Sequence, residues 1–172
     1  TVDTIPADAT NLVVSEIHYR PAKPTTVSEI AISSDRDEFE FIELLNTAGQ
    51  PIDLSGVYFD DGIRFHFADN TVIEAGGRIV LVENLTAFAA RYGDLGGGMI
   101  AGQYSGNLNN DGEQIVIRKT GAQILLDFTY NDQPPWPTLA DGNGYSMIFT
   151  GTTPNEGTSW SPHSMVGGAP GL

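Results

Sequence analysis

Two β-hairpins are recognisable in the sequence, and they restrict the possible folds more than any other feature. In residues 56–67 (GVYFDDGIRFHF), two aromatic-rich runs flank Asp61-Gly62, which suits a two-residue turn because these residues tolerate positive φ. In residues 113–130 (EQIVIRKTGAQILLDFTY), two apolar runs flank Thr120-Gly121. We therefore expect antiparallel sheets built from short strands.

Four further runs extend this pattern. Strands are predicted at residues 12–19, 38–46, 76–83 and 144–149. The apolar positions of the second run change phase between Phe41 and Ile42, which predicts a bulge or burial on both faces. A single helix is predicted over residues 84–93, where Asn84 can cap the start and Gly93 the end. The pattern is typical of an all-β, immunoglobulin-like β-sandwich with one short helix.

The remaining segments carry weaker signals. Residues 1–11 lack periodicity and are predicted to be a linker, so that the domain spans residues 12–172. Residues 20–37 are predicted to form a long loop, and residues 153–172 to lie over the surface. Because the chain begins with Thr1 rather than methionine, we expect it to be part of a larger protein.

Charge and composition narrow the function classes. Eight basic residues stand against 22 acidic ones, a formal net charge of −14 at pH 7, which repels phosphate backbones and argues against nucleic acid as a partner. The absence of cysteine excludes disulfides and zinc–thiolate sites. No apolar run approaches 18 residues, so membrane insertion is not expected. An extracellular or cell-surface location fits this acidity best.

The order of several segments resembles a known family. The segments EFIELLN (40–46), IDLSGVYFDD (52–61), IRFHFADNTVIEAGGRIVLVEN (63–84) and LNNDGEQIVIRKTG (108–121) follow one another as in the lamin-tail domain. This is the immunoglobulin-like sandwich of nuclear lamins and of many bacterial secreted proteins. Residues 136–147 (WPTLADGNGYSM) are similar to the ending of its bacterial branch.

The resemblance implies a non-catalytic module rather than an enzyme. Family members are attached to nucleases, metalloproteases and surface proteins, and no invariant catalytic set can be mapped onto this chain. The sequence itself contains neither a G-x-S-x-G nor an H-E-x-x-H motif. We therefore expect an accessory or binding module of a secreted or cell-surface multidomain protein. Its expected partners are neighbouring domains of the same protein, a surface protein or a glycan.

Calcium is the one cofactor that the acidic turns suggest. Residues 141–144 (DGNG) alternate Asp141 and Asn143 with glycines, and calcium accepts carboxylate, amide and carbonyl oxygens. Asp60 and Asp111 are further candidate ligands in turn segments. The alternative is that these side chains only bond their own backbone in tight turns. In the first case the chain is a calcium-stabilised adhesion module.

Two tryptophans are candidate ligand platforms. Trp136 lies among three prolines and, like Trp160, is able to stack on a sugar if it is exposed, which predicts a glycan-binding module. The alternative is that each tryptophan fills one open end of the sandwich.

Four glutamates interrupt or flank the apolar strands. Glu16 and Glu43 either face inward, where a carboxylate needs an arginine or metal partner, or face water on an alternating strand, the alternative that we favour. Glu38 and Glu40 share a strand face and are expected to form a solvated edge.

Overall fold

Three sheets make up the fold in the computed structural model, which describes residues 3–172. The strands are β1 Ile5–Pro6, β2 Leu12–His18, β3 Phe41–Asn46, β4 Ile52–Asp53, β5 Val57–Asp61, β6 Phe65–His66, β7 Val72–Ile73, β8 Arg78–Val82, β9 Ile100–Gln103, β10 Gly112–Lys119, β11 Gln123–Asn131, β12 Tyr145–Phe149 and β13 Trp160–Val166. The helices are α1 Val27–Ile32, α2 Leu85–Tyr92 and two short 3-10 helices, Asp37–Phe39 and Gly157–Ser159.

A six-stranded and a four-stranded sheet form the two layers of the sandwich. The larger has the order β13-β12-β2-β3-β8-β9 and is antiparallel except for the parallel pair β8–β9. The smaller has the order β11-β10-β5-β6 and is antiparallel throughout. A three-stranded sheet, β1-β4-β7, accompanies them. The expected all-β, immunoglobulin-like sandwich is confirmed.

The centre of the larger sheet is buried on both faces. Phe41 and Ile42 are adjacent in β3, yet both are fully buried. Ile42 belongs to the main core between the sheets, whereas Phe41 packs with Phe88 of α2 on the opposite face, with ring centroids 5.9 Å apart. The change of phase in this strand therefore reflects burial on both faces, because α2 covers the outer one.

The two predicted hairpins are present with longer turns than expected. Three residues, 62–64, rather than two separate the end of β5 from the start of β6, and Gly62 lies at φ +80° within that turn. Lys119 pairs with Gln123, which leaves a three-residue turn between β10 and β11. Helix α2 matches the prediction, since Asn84 accepts hydrogen bonds from Thr86 N and Ala87 N.

Several segments are more ordered than the sequence patterns predict. The linker predicted for residues 1–11 is wrong from Ile5 onward, because β1 pairs with β4 and Ala7 is buried; Thr1 and Val2 lie outside the described residues. The predicted loop 20–37 contains α1, which starts with a capping box formed by Thr26 and Glu29. Residues 153–172 are not a surface tail, since they contribute edge strand β13.

Candidate functional site

The candidate calcium ligands Asp141 and Asn143 make contacts within the chain. The Asp141 carboxylate forms an ion pair with Arg20. Asn143 is exposed, and its Nδ2 donates weak hydrogen bonds to Thr138 O (3.5 Å) and Asp141 O (3.4 Å). Residues 141–144 therefore form a turn before β12, as the structural alternative predicts.

The other two calcium candidates are also turn or ion-pair residues. Asp60 is shared by two arginines: Arg118 Nε lies 2.6 Å from Oδ2, and Arg64 Nη1 lies 3.3 Å from Oδ1. Asp111 is exposed, and its backbone N–H donates to Asn109 Oδ1. Within residues 3–172, no group of three or more His, Cys, Asp or Glu side chains is arranged to hold a metal ion.

Both tryptophans belong to the core, so the prediction of exposed glycan-binding platforms is wrong. Trp136 is 8% and Trp160 is 4% exposed, and their ring centroids lie 6.0 Å apart. Trp160 also stacks on Phe128, at 5.7 Å, and its Nε1 donates to Pro154 O. No ring face remains for a sugar, because both rings are packed against other core side chains.

The most polar buried site of the sandwich lies on β2 and β3. Glu16 and Glu43 are direct cross-strand partners and point to the same face of the larger sheet, where they are 3% and 1% exposed. The favoured prediction that they face water is wrong. Because two adjacent buried carboxylates repel each other and lose hydration, they need several compensating donors.

Glu43 receives these donors from three parts of the chain. Arg78 Nε lies 3.1 Å from Oε1, and Ser15 Oγ donates to the same oxygen at 2.5 Å. The backbone N–H of Gly171 donates to Oε2 at 2.6 Å. The arginine partner that an inward carboxylate requires is thus supplied by β8, the neighbouring strand.

Glu16 is held by the C-terminal part of the chain. Ser146 Oγ donates to its Oε1 at 2.5 Å, and the backbone N–H of Ala169 donates to the same oxygen at 3.2 Å. Gly168 passes so close that a Cβ there would collide with Glu16 Oε1 and Ser146 Oγ. The two carboxylates therefore fasten residues 167–172 to the sheet, and we call this arrangement the carboxylate clamp.

The clamp borders a polar cavity of about 190 Å³, which Leu45, Ile148 and His163 also line. Burial raises the pKa of Glu16, an effect that the neighbouring Glu43 charge adds to and the Ser146 hydrogen bond opposes. Burial likewise raises the pKa of Glu43, against the hydrogen bonds from Ser15 and Gly171.

The clamp lacks the geometry of nucleophilic catalysis. A serine nucleophile is activated by a base that lies between its hydroxyl and the acid. Here Ser146 donates directly to Glu16, while His163 Nδ1 accepts the N–H of Met165 at 3.0 Å. The arrangement can fasten backbone and hold protons, but within the described residues no hydrogen bond joins His163 to Ser15 or Ser146.

Sequence reasoning identified the two glutamates but not their partners. The groups that bond each glutamate lie at least 28 positions away from it in the sequence, and no local motif connects them to it. They are Ser15, Arg78 and Gly171 N for Glu43, and Ser146 and Ala169 N for Glu16. The one available signal was the glycine-rich stretch at residues 167–171, where backbone must approach a side chain closely.

Comparison with known proteins agrees with this architecture. No curated protein matches the chain. The family model for the lamin tail domain matches residues 6–132, more than half of the chain. The matched span includes both glutamates, whereas Ser146, Ala169 and Gly171 lie beyond it. On this match, the chain belongs to the lamin tail domain family.

Proposed function

We propose that this chain is a non-catalytic, immunoglobulin-like accessory and binding module of a secreted or cell-surface multidomain protein. The observation that carries the proposal is the contrast between the carboxylate clamp, whose groups are used in internal bonds, and an exposed apolar groove beside the clamped segment. Family membership supports the same class of function.

The groove runs along the end of α2 and the C-terminal segment. One part, of about 280 Å³, is lined by Tyr92, Leu95, Met99, Met165 and residues 168–172. A second part, of about 490 Å³, shares Tyr92 and Gly168 with the first and extends to α1.

Exposed apolar side chains lie on α1 and β13, two of the elements that contribute residues to this groove. Val27 and Ile30 of α1 are 87% and 55% exposed, and Met165 and Val166 of β13 are 51% and 59% exposed. Because soluble domains rarely expose grouped aliphatic side chains without a partner, this face is the expected contact with a neighbouring domain or a surface protein.

The electrostatics favour a protein partner over nucleic acid. A net charge of −14 repels the negatively charged phosphate backbone of a nucleic acid, and salt screens this repulsion only partly at distances shorter than the Debye length. No helix among residues 3–172 is long and apolar enough to cross a membrane.

Cell fractionation tests the location and the multidomain context together. An antibody against this chain is used to probe culture medium, intact cells treated with protease, and cytosol from the source organism. We expect a band larger than 18.4 kDa that is found in the medium or removed by external protease. A band confined to the cytosol, or one of 18.4 kDa only, would contradict the proposal.

A hydrolysis assay tests the non-catalytic character. Wild-type chain and the Glu16→Gln/Glu43→Gln double variant are incubated with ester, glycan and nucleic-acid substrates, and we expect the same background rate from both. Turnover by the wild type that the double variant loses while still folded would identify an enzyme and overturn the proposal.

A further inference from the structure

Outside the clamp, acidic side chains gather where β3 begins. Asp37, Glu38 and Glu40 lie in the short 3-10 helix and immediately after it, and Glu40 N donates to Asp37 O. Glu83, immediately after β8, is brought to the same place because its N–H donates to Glu40 O at 3.1 Å. We call Asp37, Glu40, Glu83 and the nearby Asn110 the β3 acidic site.

Glu40 forms the floor of this site and is bonded on one side only. The residue is fully buried, contrary to the predicted solvated edge. Its Oε2 accepts the N–H of Leu108 at 2.8 Å and the hydroxyl of Tyr104 at 3.2 Å. Its Oε1 is also buried but has no hydrogen-bond partner in the chain.

Three more side-chain oxygens near Glu40 are buried without a hydrogen-bond partner. Asp37 Oδ1, Glu83 Oε2 and Asn110 Oδ1 are each buried and without a partner. Burial raises the pKa of Asp37 and the nearby Asn110 amide opposes that rise, which places Asn110 beside Asp37. Unpartnered buried oxygens are rare in native proteins, and four in one place point to a ligand that accepts electron pairs.

Basic side chains do not neutralise the site. Every ion pair in residues 3–172 involves other carboxylates, namely those of Glu29, Glu43, Asp60 and Asp141. A proton would neutralise one carboxylate but would leave the remaining oxygens without a donor. A metal cation, by contrast, satisfies several oxygens at once.

We propose that the β3 acidic site binds one divalent, oxygen-seeking cation of the Ca²⁺ type. The ligands are Glu40 Oε1 at the floor, Asp37 Oδ1 and Glu83 Oε2 at the sides, and the amide oxygen Asn110 Oδ1, with water completing the coordination. All of these ligands are oxygen atoms, and the irregular mixture of carboxylate and amide suits Ca²⁺ better than the octahedral preference of Mg²⁺.

The site is not a ready-made carboxylate cage, since no three acidic side chains among residues 3–172 are arranged to hold an ion. Glu83 and Asp37 are only partly buried, so their side chains have room to turn toward an ion resting on Glu40. Binding therefore draws the 3-10 helix, the end of β8 and the 105–111 segment together. This inference is independent of the proposed function.

Thermal unfolding of the full chain with excess EDTA, and then with millimolar Ca²⁺, tests the site. Saturation at 100 times the dissociation constant is expected to raise the unfolding midpoint by about 5–10 °C. Calorimetric titration with Ca²⁺ is expected to give one ion per chain. An unchanged midpoint at 10 mM Ca²⁺ would overturn the proposal.

Matched acid-to-amide variants locate the ion. Glu83→Gln and Asp37→Asn are partly exposed changes that keep the side-chain shape, and each is expected to reduce the Ca²⁺-induced shift to less than half. Asp141→Asn, at the Arg20 ion pair, is the control and is expected to keep the full shift. Retention of the shift in both test variants, or its loss in Asp141→Asn alone, would place the ion elsewhere and overturn the proposal.

Glu40→Gln separates ligation from folding. In EDTA this variant is expected to unfold at or above the wild-type midpoint, because the cost of burying the acidic group of Glu40 without a counter-ion has been removed. In Ca²⁺ it is expected to gain no further stability. A variant that is stable in EDTA and still responds fully to Ca²⁺ would contradict ligation by Glu40.

Discussion

At the scale of single residues, His18 shows how a buried polar group is accommodated without charge. The residue is fully buried in β2, and its Nδ1 lies 3.2 Å from the hydroxyl of Tyr92. That hydroxyl donates its own proton to Gly167 O at 2.9 Å, so the histidine must be the donor, as the neutral Nδ1–H tautomer. Burial, reinforced by the charge of Arg91, lowers the pKa of His18 to about 3.

The depressed pKa of His18 predicts a loss of stability in acid. Between about pH 6.5 and pH 3 the unfolded chain binds a proton at this residue and the folded chain does not. The free energy of unfolding is therefore expected to fall as pH falls through that window, by up to about 1.4 kcal/mol per unit from this group.

Glu40 has the opposite effect on the pH dependence of stability. Burial raises the pKa of Glu40 from 4.5 to about 9, so the free energy of unfolding is expected to fall as pH rises through that range. Urea unfolding of wild type and His18→Gln at several pH values separates the two effects. The difference between the two proteins is expected to shrink or reverse below pH 6.5, and a constant difference would contradict the assignment.

The burial of Trp160 predicts a core defect when its ring is removed. Trp160→Ala deletes contacts with Trp136 and Phe128 and leaves Pro154 O without its donor, so the free energy of unfolding is expected to fall by about 3–5 kcal/mol. Ile124→Ala, at a side chain 47% exposed, is the matched control and is expected to cost less than about 0.5 kcal/mol. Equal losses in urea unfolding would mean that Trp160 is not a core residue in solution.

At the scale of secondary-structure elements, long or strongly patterned segments were predictable and short ones were not. Strands β2, β3, β8, β10 and β11 and helix α2 carry clear periodicity or caps, and all were expected. β1 has only two residues, too few to show a period, and β13 contains Pro162, which is tolerated because β13 is an edge strand. Helix α1 had a readable signal in its Thr26–Glu29 capping box, masked by the neighbouring prolines.

The site was less predictable than the strands, because burial depends on partners that are distant in the sequence. Glu16 and Glu43 look like solvent-facing residues of alternating strands until residues 167–172 cover them. Glu40 is buried by Tyr104 and Leu108, more than 60 residues away. The residue pattern of one strand does not show which of its faces will be covered by a segment that lies far away in the sequence.

Removing the segment that covers the clamp is expected to destabilise the domain moderately. A chain ending at Val166 loses the N–H donors of Ala169 and Gly171, but water replaces part of the lost bonding, so we expect a cost of about 1–3 kcal/mol. A chain lacking only Leu172, which is 84% exposed, is the control. If the two truncated chains unfold at the same urea concentration, the clamp contributes nothing to stability.

At the scale of the whole molecule, the charge of −14 predicts stabilisation by salt. Salt weakens the long-range repulsion among carboxylates. It weakens the ion pairs less, because their charged atoms are about 3 Å apart and partly buried. In the presence of EDTA, the unfolding midpoint is expected to rise by a few degrees between 0.05 and 0.5 M NaCl. KCl is expected to act equally, and a falling midpoint would show that ion pairs outweigh the repulsion.

The topology of the larger sheet also determines when the domain can finish folding during synthesis. Strand β2 finds β3 within about 30 residues of chain, but its other neighbour, β12, is synthesised about 130 residues later. Until residues 145–171 have been synthesised, one edge of β2 has no partner strand, and the carboxylates of Glu16 and Glu43 remain exposed to solvent. The nascent chain thus remains incompletely closed until late in synthesis, and the final strands complete the sheet last.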